Sequence, residues 1–302
     1  MKEKLKTLSE AVSSIPSGIS LAIGGSMIRR QPNALVREII RQGKGDFTLY
    51  TFATGTATDM LVAAGRVKRW EGIYSGLFWY GQTYNFRRAV ENGEVVARDF
   101  TESSMSARLR AAAQGLPFAP TRALLGTGMA SHNPEQVREI TCPFTGKKLH
   151  AVPAVDADVT LIHGYVGDKY GNIQMPVVRD SDDVDFLFAM ASKRLIVTVE
   201  RLVPHEEISK SPLLTYIPHN LVESVVLAPY GAHPVACDSF YDVDEQHIKE
   251  YVALAKAGKT EQYLEEYVLE SDEQRYIEKV GGFDTLSKLN AGGVTYEGIH
   301  NK

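Results

Sequence analysis

The sequence predicts an α/β fold: an open, largely parallel sheet covered by helices on both faces, with a helical C-terminal tail. Three observations carry that prediction. Short, near-continuous runs of Val, Ile and Leu recur along the chain, as in strands buried on both faces. Segments with helical apolar spacing alternate with them. From Glu245 onward the pattern turns mainly helical. No internal repeat or low-complexity linker divides the 302 residues. The chain therefore reads as one domain, 1–302, in which 245–302 is the tail.

Ser20–Ile23 (SLAI) is the first strand, stopped by two glycines. Pro32 opens a helix over NALVREIIRQG, where Leu35, Val36, Ile39 and Ile40 share one face and Gly43 punctuates the end. Phe47–Phe52 is the second strand and Ala57–Gly65 the second helix. Ile73–Gly76 reads as a third short strand, followed by a helix at Tyr84–Asn92. The alanine-rich segment Ser104–Gly115 is helical and stops ahead of Pro117 and Pro120. Ala123–Leu125 is strand-like, whereas Ser131–Lys148 is polar, has no clear period and reads as a loop. Strands resume at Leu149–Val152, Val159–His163, Arg194–Val199 and Ser224–Ala228, with a helix-like segment at Val184–Ser192. In the tail, Tyr251, Leu254, Tyr263 and Tyr267 are the candidate packing residues.

The formal charge of −4 and the 44% hydrophobic content are ordinary, and point to neither nucleic acid nor a charged interaction tail. The absence of any run of about 18 apolar residues argues against a membrane span. Met1–Glu10 is charged and polar, unlike a signal peptide. Cys142 and Cys237 are the two cysteines, which excludes a disulfide framework and fits a reducing cytoplasm. Neither sits in a recognisable nucleophile setting. The eight histidines show no metal-ligand spacing, so no metal is expected.

Four segments carry possible chemistry. Gly24-Gly25-Ser26 ends the first strand, where open α/β sheets bind ligands, and glycines there let backbone N–H groups approach an oxyanion or phosphate. A plain tight turn is the first reading of the pair taken by itself, because no dinucleotide or P-loop spacing follows. Arg29 and Arg30 beside it suit a carboxylate or phosphate, or a solvated surface. Glu102, within Asp99-Phe-Thr-Glu102, either favours the positive end of the helix that follows or serves as base or nucleophile. Gly126-Thr127-Gly128 offers a second backbone approach or a plain turn. His163 to Asn172 includes Gly-Asp-x-x-Gly-Asn, which reads first as a structural turn.

Taken together, these segments resemble the A subunits of family I coenzyme A-transferases, most closely the glutaconate CoA-transferase type. The resemblance rests on Ala22 to Pro32 (AIGGSMIRRQP), Gly65 to Lys68, Ala111 to Phe118 (AAAQGLPF), His163 to Asn172, and Val225 to Pro234 (VVLAPYGAHP). It implies an open α/β fold and transfer of CoA between carboxylic acids through a glutamyl-CoA thioester. The nucleophilic glutamate is expected on a B subunit, since the family's Ser-Glu-Asn-Gly-like turn is missing here. The partners it implies are thus that B subunit, in a heteromer such as A2B2, with acyl-CoA and a carboxylic acid as substrates. No cofactor is expected beyond CoA as substrate. Gly24, Gly25, Ser26, Arg29, Arg30, Gly126 and Gly128 would bind substrate or oxyanion from the A side. Two departures stand out. Glu102 replaces the glutamine usual in transferases, as in the similar A subunits of ring-opening CoA-thioester hydrolases of steroid breakdown; it would then be an acid or a base that directs water. Ser26 replaces a common phenylalanine. The aromatic run Phe78-Trp79-Tyr80, with Tyr84, fits an interface or the core first, and an acyl pocket second.

Overall fold

The structure, a computed structural model, describes residues 1–176 and 183–290. Among them, a nine-stranded sheet forms the centre. Seven of its strands run parallel: β1 (Ser20–Ile23), β2 (Phe47–Thr51), β3 (Val67–Gly72), β4 (Val96–Asp99), β5 (Val159–Gly167), β6 (Leu195–Leu202) and β7 (Ser224–Leu227). Their spatial order is β7-β6-β5-β1-β2-β3-β4. Two short strands, Ile173–Gln174 and Thr215–Ile217, continue antiparallel from the end of β5.

Successive residues of a strand face opposite sides of a sheet, and the burial follows that rule on both sides. Leu21, Ile23, Leu49, Leu161, Ile196 and Val226 enter one apolar cluster. Ala22, Ile162, Val197 and Val225 enter another. The first is closed by Leu35, Val36, Ile39 and Ile40 of the helix Asn33–Arg41 and by Tyr251, Tyr263, Tyr267 and Tyr276 of the tail. The second is closed by Met105 and Leu109 of the helix Glu102–Ala113 and by Phe188 of the helix Asp185–Ala191. Helices thus cover both faces, as the strand composition required. In the tail, Tyr251, Tyr263 and Tyr267 are buried and Leu254 packs against the same cluster.

The chain departs from the sequence expectations where polar strands occur. β3 (VKRWEG) and β4 (VARD) carry charges and show no apolar run, yet both pair in the sheet. Tyr74–Ser75, in the expected third strand, pairs only with Ala53–Thr54. Within the expected loop Ser131–Lys148, Arg138–Thr141 is a strand of a small antiparallel sheet with Lys148–Pro153 and Phe118–Thr121. Ala123–Leu125 is a turn, not a strand: the Leu125 N–H donates to the Arg122 carbonyl at 3.1 Å. No described helix is long and apolar enough to cross a membrane.

The strand order reverses between β1 and β5. The chain moves one way from β1 to β2 and the other way from β5 to β6. The helices that follow on the two sides, Asn33–Arg41 and Asp185–Ala191, pack on opposite faces. Such a reversal leaves a crevice at the carboxyl ends of the strands. Gly24 and Gly25 stand there.

Candidate active site

Five of the residues singled out in the sequence share one turn at this crevice: Gly24, Gly25, Ser26, Arg29 and Arg30. The Gly24 N–H still belongs to the sheet, donating to the Leu161 carbonyl at 2.9 Å. The Gly25 N–H donates to Asp185 Oδ1 at 2.8 Å. Ser26 N–H and Arg29 N–H donate to each other's carbonyls at 2.8 and 2.7 Å. The backbone donors of the glycine pair are therefore engaged inside the chain. What the glycines provide is room. A Cβ on Gly24 would lie 2.5 Å from Asp185 Oδ1, and one on Gly25, whose φ is +76°, would lie 2.4 Å from the Arg30 carbonyl oxygen.

The two arginines have different surroundings. Arg29 is partly exposed and lies 3.4 Å from Asp238. Arg30 is buried, pairs through Nη1 with Asp185, and lies 3.5 Å from Asp183. Burial alone would favour a neutral Arg30; Asp185 and Asp183 beside it more than offset this and hold it charged. Burial drives the Asp185 carboxyl above its ordinary range, against the pull of Arg30. Met27, Arg30 and the nearby Tyr230 have φ values of 43°, 53° and 56°. Residues with side chains occupy that left-handed region at a cost of about 1–3 kcal/mol each, and such strain gathers at functional sites.

A second network braces the turn. On β6, Glu200 accepts from the Tyr241 hydroxyl at 2.7 Å and from the Tyr230 N–H at 2.7 Å, and its other neighbour is His163 Nε2 at 2.6 Å. The loop so held also reaches the turn, since the Arg30 N–H donates to the Ala236 carbonyl at 2.7 Å and the Ala236 N–H to that of Ile28 at 2.9 Å. His163, Glu200 and Cys237 bring their side-chain ligand atoms within 4.8 Å of one another, a grouping that sequence spacing could not show. Both histidine nitrogens and both carboxylate oxygens already have protein partners, His163 Nδ1 lying 2.8 Å from Thr198 Oγ1. A metal would have to displace them, so this set reads as a satisfied brace. Burial pushes the Cys237 thiol well above its usual range, with the Glu200 charge adding to the effect, so it is a poor nucleophile.

The remaining candidates lie on other segments. Glu102 is exposed on the first turn of its helix, which Thr101 and Ser104 close with a capping box. Gly126 and Gly128 are exposed in the turn before the short helix Met129–His132. The Gly-Asp-x-x-Gly-Asn segment is a structural turn. Asp168 accepts from the Tyr170 and Asn172 N–H groups at 2.9 and 3.0 Å and sits 2.7 Å from His205 Nδ1. Burial opposes its charge, but these bonds prevail and hold the carboxyl below its usual range. Phe78 and Trp79 stack at 5.6 Å with Trp79 75% exposed, so this pair does not belong to the core. Sequence reasoning missed Asp185, whose contact with Gly25 spans 160 positions.

Comparison with known proteins agrees with this architecture. The coenzyme A transferase family model matches residues 5–228. The chain is 32% identical to the A subunit of glutaconate CoA-transferase from Acidaminococcus fermentans, over 97% of each chain. It superposes on the crystal structure of that enzyme with a TM-score of 0.90, over 97% of this chain and 98% of that one. A structure of the decarboxylase AibA/AibB is 36% identical with a TM-score of 0.77, covering 87% of this chain and 98% of that one. The cholesterol ring-cleaving hydrolase IpdA subunit of Rhodococcus jostii is 34% identical over 92% of this chain and 97% of its own length. A protein of Archaeoglobus fulgidus is 39% identical over 96% of this chain, which spans 65% of that longer protein. The chain therefore belongs to the coenzyme A transferase family, among the A subunits typified by glutaconate CoA-transferase.

Proposed function

We propose that this chain is the A subunit of a heteromeric transferase that moves CoA between small carboxylic acids, with the glutamate nucleophile on a B subunit. The observation that carries this is the strained turn Gly24–Arg30 at the crevice where the strand order reverses, in a chain of this family. The turn would form the A-side wall of a site shared with the B subunit, and Arg29 would supply positive charge toward an acyl carboxylate or the CoA phosphates. Covalent attack by the partner's glutamate divides one acyl transfer into easier steps. Ser26, smaller than the phenylalanine common in transferases, suits a differently shaped acyl pocket.

The deciding experiment is to co-express the chain with its B subunit. The complex is then given a panel of acyl-CoAs, with an acceptor acid or with water alone. A new acyl-CoA formed only with the acceptor supports transfer. Consumption without acceptor, with water added to the product, defeats it.

A second reading, hydrolysis or carbon–carbon cleavage of a CoA thioester, is favoured by Glu102, an exposed carboxylate where transferases carry glutamine. Glu102→Gln separates the two. A transferase keeps at least about a third of its rate, whereas an enzyme using Glu102 as its acid or base loses at least about 100-fold.

A further inference from the structure

We infer that Asp185 is a positioning residue for the proposed reaction: from the helix Asp185–Ala191, its carboxylate sets the shape of the Gly24–Arg30 turn. The inference rests on the reading that this turn faces the thioester. Asp185 itself is buried and acts through the backbone it holds.

One carboxylate oxygen takes the N–H at the start of the turn, from Gly25 at 2.8 Å, and the other takes Arg30 Nη1 at its end. A single planar group therefore spans both ends. Between those ends, Ser26 and Arg29 close on each other, while Met27 and Arg30 sit in the left-handed region. A turn with that much backbone strain holds its shape only when its surroundings over-determine it. The arginine's own bonding shows what the arrangement sacrifices. Arg30 Nε is buried without a hydrogen-bond partner and Nη2 has only Asp183 Oδ1, at 3.5 Å, although a guanidinium can donate five bonds. A group kept only for packing would be better replaced by an apolar one, because an under-satisfied buried ion costs stability. The two glycines complete the case: Gly24 leaves room for the carboxylate oxygen, and Gly25 permits the φ that directs its N–H at it.

The test uses the heteromeric complex, formed with the B subunit, in two variants. Asp185→Asn keeps an oxygen for the Gly25 N–H; Asp185→Leu removes both acceptors on the same branched skeleton, with bulkier methyl groups in their place. Each complex is followed by hydrogen–deuterium exchange in peptides covering Gly24 to Gln31, by thermal unfolding, and by kcat and KM for an acyl-CoA. In the Leu variant, exchange in the turn should rise about tenfold with the rest of the sheet unchanged. Its kcat should fall roughly 100-fold while KM moves less than about threefold, and the Asn variant should lose less than about tenfold in kcat. Unchanged exchange in the turn of the Leu variant overturns the inference. So does a loss of kcat that only tracks the unfolded fraction in both variants. Where the Leu variant does not fold, Asp185→Asn carries the test alone: exchange should rise near Arg30, which loses its ion pair, and no change there overturns the inference. A wild-type complex inert toward every thioester defeats the functional reading instead, and leaves the exchange result standing.

Discussion

His247 should make the chain lose stability on mild acidification. It lies buried in the helix Glu245–Lys256, with Nε2 2.8 Å from the Tyr263 hydroxyl and its ring edge-on to Tyr267 at 4.8 Å. Burial lowers its pKa from 6.5 to about 3, and the neighbouring His233 adds to the effect. The native state therefore refuses a proton that the unfolded chain accepts. With the folded pKa depressed, this contribution is complete above pH 6.5 and is lost as pH falls from 6.5 toward 3. Between pH 7.5 and pH 5 the loss from this one group comes to about 2 kcal/mol, and the full window is worth at most about 5 kcal/mol. That is a substantial part of the 5–15 kcal/mol typical of a folded domain. The assay is urea denaturation at both pH values for the wild type and for His247→Phe, with His247→Gln as a second replacement. Each variant should lose stability at pH 7.5, because the Tyr263 hydroxyl loses its bond to the His247 ring. Its further drop on going to pH 5 should be smaller than that of the wild type by about 2 kcal/mol. Equal drops in wild type and variants would refute the argument.

Other predictions test single contacts. Gly18 and Gly25 have similar φ values of +80° and +76°, but a Cβ on Gly18 meets nothing within 4 Å. Thermal unfolding should show Gly18→Ala costing about 1 kcal/mol and Gly25→Ala at least about 3 kcal/mol; equal losses would remove the steric argument. Arg108 and Glu71 form a buried pair at 2.7 Å. Arg108→Met should cost about 3–5 kcal/mol in denaturant melts, with most of it regained in the double variant Arg108→Met/Glu71→Gln. Trp79→Ala should leave the isolated chain within about 0.5 kcal/mol of wild type, so a weakened complex in sedimentation would identify a contact with the partner.

What could be read in advance follows from which forces are local. β1, β5, β6 and β7 are central or doubly covered strands whose apolar runs announce themselves. β3 and β4 lie toward one edge, where charged residues are tolerated and blunt unwanted pairing. Even so, Glu71 of β3 is buried; besides Arg69 at 3.9 Å on its own strand, it pairs at 2.7 Å with Arg108, which lies 37 residues away. The candidate site divides in the same manner. A glycine pair after a strand is a local signal, and it marked the turn that leaves β1 at the carboxyl ends of the strands. Why Gly24 is needed there is not local, since the atom it makes room for belongs to Asp185, whereas Gly25 makes room for the Arg30 carbonyl within the turn itself. The His163–Glu200–Tyr241 brace escaped for the same reason: its members come from β5, β6 and the loop after β7, and the crossover topology alone makes them neighbours. A turn of this kind is thus legible as a turn from its own residues, while its shape, and with it the catalytic geometry proposed for it, depends on carboxylates delivered by a helix and a strand elsewhere in the chain. Substitutions at Asp185 and Glu200 should therefore disturb the site more than substitutions at the exposed Gly126 or Gly128, although only the latter pair stood out in the sequence.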